Sequence, residues 1–300
     1  MSNEYHKSVL LESSVDALNI NPNGVYVDLT FGGGGHSKEI LSRLDKGKLF
    51  AFDQDQDALK NTIDDERFTL ISQNFRFLKN HLRMLGIKEV DGILGDLGVS
   101  SHQFDIPDRG FSIRFDADLD MRMNQLSPLT AKKILNTYDE NDLKKLFFVF
   151  GDLRNSGKIA RTIIQSRAEK KINRVDELKE ILKHFAPPHK WNSFLAKVFQ
   201  ALRIEVNEEV KVLEEMLLQT GEILKPDGRL VVISYHSIED RLVKNYMRSG
   251  NLSGEVEKDF YGNALRPFKP HKGMPVMPDA EELAVNNRAR SARMRIADRL

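Results

Sequence analysis

The chain has 300 residues, 40% of them hydrophobic and 30% charged, and its formal net charge at pH 7 is only +1. That length exceeds the usual single domain and the balance is that of a globular protein, so one large or two ordinary domains are expected, with no whole-molecule attraction to nucleic acid. No run approaches the roughly 18 apolar residues of a membrane span, the start carries no signal-peptide pattern, and cysteine is absent, so the expectation is a cytoplasmic protein with no membrane partner, no disulfide, no Cys nucleophile and no thiolate metal site; no metal-binding residues are singled out.

Residues 8–18 (SVLLESSVDAL) have the spacing of an amphipathic helix, and the turn NPNG leads into a first strand, VYVD (25–28). Four glycines, Gly32 to Gly35, follow at once, and SKEILSRL reads as the next helix. KGKLFAFDQD (46–55) is a second strand with DALKNTIDD (57–65) as its helix. FTLISQNF (68–75) is a third, followed by the helical FLKNHLRMLG, and VDGILGDLG (90–98) is a fourth. Strands alternating with helices imply βαβ units and a parallel sheet. After Asp108 the rhythm changes. SIRFDADLDMRMN (112–124) reads as a loop, and five helical patterns fill residues 128–204 with no strand between them. A helix over 208–225 and the turn PDG then lead into RLVVISYHS (229–237), a clear strand. The simplest arrangement is a discontinuous sheet domain, 1–107 and 207–300, with an inserted all-helical domain, 108–206. One continuous α/β domain with long helices is the alternative.

Three of these strands end on an acid: Asp28, Asp53 and Asp96. In an open parallel sheet, ligands bind beyond the carboxyl ends of the strands, so the three acids sketch a cleft. Gly32, Gly34 and Ser37 fit G-x-G-x-x-S, which falls short of the dinucleotide fingerprint. Asp53, about 20 residues on, stands where an acid accepts hydrogen bonds from a ribose diol, a geometry shared by NAD and S-adenosylmethionine sites. His36 either hydrogen-bonds a ligand or caps the helix. Phe75 either stacks on adenine or joins the core. Asp96 holds a cofactor, a substrate amine or a loop backbone; the Asp/Asn-Pro-Pro-aromatic motif of amino-group methyltransferases is absent there.

HKSVLL, TFGGGGHS, GDLGVSS followed by Gln103, RGFS, LDMRMN, FQALRIEVN, SYHSIEDR and NNRARSARMRIA occur in that order over nearly the whole chain. Together they resemble the bacterial 16S ribosomal RNA cytosine-N4 methyltransferase family, called RsmH or MraW. The resemblance implies a Rossmann-like α/β fold, an S-adenosylmethionine-dependent methyltransferase sheet with an inserted all-helical domain. It also implies methylation of the exocyclic N4 amine of a specific cytidine in the decoding region of 16S rRNA. Gly34, Gly35, His36, Asp53, Phe75, Asp96 and Gln103 would then contact S-adenosylmethionine, and Asp120 and His236, with Asp96 as a third candidate, would accept the amine's hydrogen bond or its proton. Ser237 to Asp240 is equally well read as a capping box, and Asp120 with Arg122 as a structural ion pair.

An exocyclic amine is a weak nucleophile, so such an enzyme contributes alignment of nucleophile, carbon and sulfur, and an acceptor for the developing positive charge. The base must be single-stranded or flipped. Basic residues of the insert (Arg161, Lys170, Lys171, Arg174) and of the tail (Arg288, Arg290, Arg293, Arg295, Arg299) are candidates for gripping rRNA, although the tail also reads as a solvated helix face. The small net charge favours the assembled small ribosomal subunit over naked RNA as partner. A homo-oligomer is left open. Gly95, Asp118, Asn287 and the segment 150–161 depart from the family pattern. A nicotinamide oxidoreductase and a non-catalytic ribosome-assembly factor are the rival readings.

Overall fold

The computed structural model describes residues 8–300; His6 and Lys7 of the HKSVLL motif lie outside the described residues. The chain divides into two compact units, one formed by the segments up to Gly98 and from Val210 onward, the other by Val99–Glu209. The sequence boundaries at 107/108 and 206/207 thus differ from this division, which falls after Gly98 and after Glu209, by nine residues at the first crossing and three at the second.

The first unit is built on a seven-stranded sheet. Its elements are α1 (Leu11–Ala17), β1 (Val25–Asp28), α2 (Gly35–Ser42), β2 (Lys48–Phe52), β3 (Phe68–Ile71), α3 (Leu78–Met84) and β4 (Val90–Asp96). The second unit carries α4 (Ser101–Asp105), α5 (Ala131–Thr137), α6 (Glu140–Val149), α7 (Ser156–Glu169), α8 (Val175–Leu182) and α9 (Trp191–Val206). The chain returns to the first unit through α10 (Glu209–Ile223), β5 (Leu224–Ser234), α11 (Ser237–Ser249), β6 (Phe268–Pro270), α12 (Ala280–Val285) and β7 (Arg293–Arg299).

Strand order is β3-β2-β1-β4-β5-β7-β6. The first five strands are parallel, β7 runs antiparallel to β5, and β6 runs antiparallel to β7. The order reverses between β1 and β4, which opens a crevice at their carboxyl ends. Strand side chains alternate between two cores, as the two-residue period requires. Val27, Phe50, Phe52, Ile93 and Val232 face one core with residues of α3, α10 and α11. Tyr26, Leu49, Leu94, Val231 and Ile233 face the other with residues of α1 and α2. Both faces are covered, so the strands read as continuous apolar runs.

Up to β5, two elements depart from the sequence reading. Residues expected to form a helix after β2 make only a short 3-10 helix, Gln56–Asn61, whose N-cap Asp55 accepts from Asp57 N. The PDG expected as a turn lies within β5: pairing with β4 jumps from Leu224 to Arg229 while β4 advances only from Val90 to Gly92, so the intervening residues bulge out.

The second unit is helical around its own core, which includes Leu119, Ile134, Leu143, Phe147, Ile163, Leu178, Val198 and Leu202. Thr130 and Asp139 cap α5 and α6 through their side-chain oxygens. Among the described residues its only β feature is an isolated bridge between Asp118 and Arg174.

Candidate active site

The carboxyl end of β1 is organised by its own acid. Asp28 is fully buried and accepts from Ser37 Oγ at 2.7 Å and from Thr30 N at 3.0 Å, tying the strand to α2 across the glycine loop. Within that loop Gly34 has φ of 77°, and a Cβ there would stand 3.0 Å from the Phe31 ring. At Gly35 a Cβ would come 2.1 Å from Ser8 Oγ. The left-handed backbone at Gly34 favours glycine, and at Gly35 a Cβ would force the Ser8 side chain to move, so the backbone stays bare where α2 begins.

Asp53 reaches the same loop from β2. Its Oδ2 accepts from Gly32 N at 2.8 Å and its Oδ1 from Asp55 N at 2.8 Å. Burial pushes its carboxyl up to about 6, against the pull of those two N–H donors. Asn61 adds a second tie by donating to Gly32 O at 3.0 Å. Asn74 donates to Gln54 Oε1 at 2.8 Å and so links the ends of β2 and β3, next to Phe75. The Phe75 ring is half-buried against the core shared by α3 and α10.

At the end of β4, Asp96 is gripped from one side. Tyr235 Oη donates to Asp96 Oδ1 at 2.7 Å. His36 Nδ1 stands 4.0 Å from Oδ2, too far for a hydrogen bond, while the ring's Nε2 lies 3.1 Å from Val9 O. Burial raises the Asp96 carboxyl to about 6, opposed chiefly by His36 and by the Tyr235 hydrogen bond. The Tyr235 phenol is in turn held strongly toward its neutral form by burial and by Asp96, so it acts as a donor. Among the described residues, none donates a hydrogen bond to Oδ2.

His236 follows as the N-cap of α11. Its Nδ1 accepts from Glu239 N at 3.4 Å, and Glu239 Oε2 accepts from Tyr235 N at 2.9 Å. The capping arrangement expected at Ser237 and Asp240 therefore sits one residue earlier. His236 Nε2 lies 3.1 Å from Glu239 Oε1, within ion-pair range but not aligned as a hydrogen bond. Asp240 instead clamps Arg295 through both oxygens, at 2.7 and 3.1 Å, and accepts from Arg293 at 3.3 Å.

Two predicted residues belong to the second unit. Gln103 is buried and forms a reciprocal capping box with Ser100: Gln103 N donates to Ser100 Oγ at 3.2 Å, and Ser100 N to Gln103 Oε1 at 3.1 Å. Asp120 pairs bidentately with Arg122, both contacts at 2.8 Å; burial pushes its carboxyl up, but the Arg122 guanidinium and backbone N–H together with Arg109 hold it below the usual range. Arg122 also donates to Gln125 O and Ser127 O, so the pair braces the loop before α5.

A family model described as the MraW methylase family matches residues 3–300. The chain belongs to that family. Relatives include the ribosomal RNA small subunit methyltransferase H of Flavobacterium johnsoniae, 59% identical over 298 residues that span 99% of this chain and 98% of its own. The enzyme of the same name from Christiangramia forsetii is also 59% identical over 298 residues, with the same coverage, and that of Bacteroides fragilis is 53% identical over 296 residues, 98% of this chain and 97% of its own. Among solved structures, an rRNA methylase from Streptococcus thermophilus covers 98% of this chain and 99% of its own at 14% identity, with a TM-score of 0.40.

In this family member the departures have local consequences. Gly95 faces Leu29, whose Cδ1 would stand 3.2 Å from an added Cβ, so the strand pair leaves little room for a larger residue. Asp118 pairs with Lys132 at 2.8 Å and with Arg174 at 3.6 Å. Asn287 opens a 3-10 turn capped by Asn286. The basic tail is not a solvated helix face: Arg293–Arg299 is β7, with Met294 and Ile296 buried between arginines. Several basic candidates have internal partners, Arg174 with Asp116 at 2.7 Å, Lys170 with Glu177 at 2.7 Å and Arg161 with Glu140 at 3.4 Å. Tyr235, which donates to Asp96, is the residue at this strand end that the sequence did not single out. SYHS announced the strand end but not which distant carboxylate its phenol would reach.

Proposed function

We propose that this chain transfers a methyl group from S-adenosylmethionine to the exocyclic N4 of a cytidine in the 16S rRNA of the small ribosomal subunit. The observation that carries the reading is the β4 end: a carboxylate held on one oxygen by Tyr235, with its other oxygen available, beside a glycine loop pinned to Asp53. Family membership and the small-subunit rRNA methyltransferases among the relatives support it. The bare backbone at Gly34 and Gly35 fits close approach of a ligand, and Asp53 remains a carboxylate acceptor beside it, as an adenosine ribose requires. When bound, the cofactor supplies an electrophilic methyl on sulfonium. Asp96 then orients the target amine by accepting from its N–H, which favours pyramidalisation and stabilises developing positive charge. His236 and Asp120 are weaker candidates for that acceptor, because the first caps α11 and the second is neutralised by Arg122. The 1–107 and 207–300 segments would act as the methyltransferase domain and 108–206 as the substrate-recognition insert. A carboxylate base paired with a positioning loop, rather than a thiolate nucleophile, suits nitrogen over ring-carbon methylation.

Mapping methylated cytidines in small-subunit rRNA from cells with and without this protein tests the assignment. Loss of N4 methylation at one site is expected in its absence, and an unchanged pattern would refute it.

A further inference from the structure

A groove of about 230 Å³ lies between α11 and the β6–β7 edge of the sheet. Lys244, Arg248, His271 and Arg295 line it over an apolar floor that includes Met247 and Met274. Among the described residues, none that lines it is acidic. Lys244 and Arg248 are exposed and stand four residues apart, hence on one face of α11, one turn beyond Asp240.

The carboxylates that pair with its lining residues are shared with other cations. Asp240 serves both Arg295 and Arg293, so that cluster keeps an unbalanced positive charge. Asp298 is shared between Arg229 at 2.7 Å and His271 at 3.0 Å. Arg248 donates to a neutral carbonyl, that of Gly254. The groove is therefore electropositive.

Strand register connects it to the candidate active site. Arg293 pairs opposite Ser234 and Arg295 opposite Val232. Arg295 is thus about 7 Å along the strand from the residue that precedes Tyr235, at about 3.3 Å per residue. A polymer that delivers a nucleotide to the end of β5 has this groove as a neighbouring track.

We propose that the groove binds the phosphodiester backbone of RNA flanking the target nucleotide, an inference that rests on the RNA substrate proposed above. Phosphates would meet Lys244, Arg248 and the Arg293–Arg295 pair, while the methionine floor accommodates sugar and base edges. Phosphate contacts of this kind position a strand without reading its sequence.

The test compares the full-length protein with a K244Q/R248Q variant, which keeps much of the side-chain length but removes both charges. Binding of an end-labelled single-stranded oligouridine is measured over a salt series, with the thermal unfolding midpoint as the fold control. Roughly tenfold weaker binding is expected, with a log–log salt slope shallower by about 1.4, because each phosphate neutralised on a single strand accounts for about 0.7. Unchanged affinity and slope would overturn the proposal, as would binding of labelled polyglutamate that K244Q/R248Q weakens and oligouridine does not displace, which would assign the groove to acidic peptide. Methyl transfer to small ribosomal subunits is followed in parallel. If the wild type transfers methyl and the variant binds RNA equally well, the groove fails and the methyltransferase reading stands. If RNA binding depends on the groove but the wild type transfers no methyl, the reverse holds.

Discussion

The Tyr235 hydroxyl decides which oxygen of Asp96 is available, and that has consequences for both stability and rate. In the folded protein the Asp96 carboxyl titrates at about 6. In an unfolded chain it titrates near 3.9. Between those values the folded state holds the extra proton, so this residue's contribution to stability falls as pH rises, and its full cost is present above about 6. Two units correspond to about 3 kcal/mol. Solvent screening lowers that, since 21% of the side chain is exposed, and about 1–2 kcal/mol is a reasonable figure. Asp96→Asn keeps an acceptor for Tyr235 while removing the charge. It should raise the urea unfolding free energy by that amount at pH 8, shrink to about half the gain at pH 5, and abolish methyl transfer. Tyr235→Phe removes a donor that favours the carboxylate, so Asp96 should hold its proton to higher pH. The acid limb of the methyl-transfer profile should move upward, with kcat down about tenfold and KM for S-adenosylmethionine little changed. An unmoved limb would reduce Tyr235 to a packing residue. Asp96 itself was legible because it closes an apolar run. Its partner lies 139 residues away, and no local pattern encodes a contact that only the sheet order creates.

At the scale of elements, the strands were readable where burial on both faces made them apolar, from β1 to β5. The last strand was not. Arg293, Arg295 and Arg299 gave residues 293–299 the look of a charged tail, whereas Met294 and Ile296 supply the buried side of an alternating strand. Arg293 and Arg295 are tolerated in the sheet because α11 brings Asp240 to them, whereas Arg299 donates to the carbonyls of Gly221 and Pro267. The Asp240 carboxyl is held below its ordinary range, since the two guanidiniums outweigh burial. Removing one partner of a buried pair strands the other charge, at a cost of about 3–5 kcal/mol. Asp240→Ala should therefore destabilise the protein by about that amount in urea unfolding. Arg295→Met replaces the charge with a side chain of similar reach and leaves Asp240 paired with the half-exposed Arg293, so its loss should be clearly smaller. Equal losses would mean that packing rather than stranded charge holds β7. The short 3-10 helix after β2 shows the opposite limit of local reading. Its residues have a helical pattern, but the extended backbone at Thr62 stops the segment after about two 3-10 turns.

At the scale of the molecule, the change of rhythm after the fourth strand announced an inserted helical segment, yet its edges were set by packing that periodicity does not report. Val99 and Phe104 pack against the helical core, which draws the first boundary back to Gly98. At the other edge, the apolar spacing of α9 runs on into α10 with hardly a pause, and the break is a backbone event: Glu208 has φ of 50°. The second unit buries its own continuous core, from Phe111 and Leu119 through Leu202 and Val206, with side-chain caps on α5 and α6 and a braced loop at Asp120 and Arg122. A segment with its own core, its own caps and satisfied loop carbonyls has what a domain needs to fold alone. Residues 99–209 expressed by themselves should accordingly be helical by circular dichroism and unfold in one cooperative urea transition, with a slope of about 1–3 kcal/mol per molar. They should not bind S-adenosylhomocysteine, because the glycine loop, Asp53 and Asp96 all belong to the other unit. A gradual, non-cooperative loss of helix would show that the second unit depends on the sheet for its core. Cofactor-product binding by the isolated segment would move the candidate site away from the strand ends altogether.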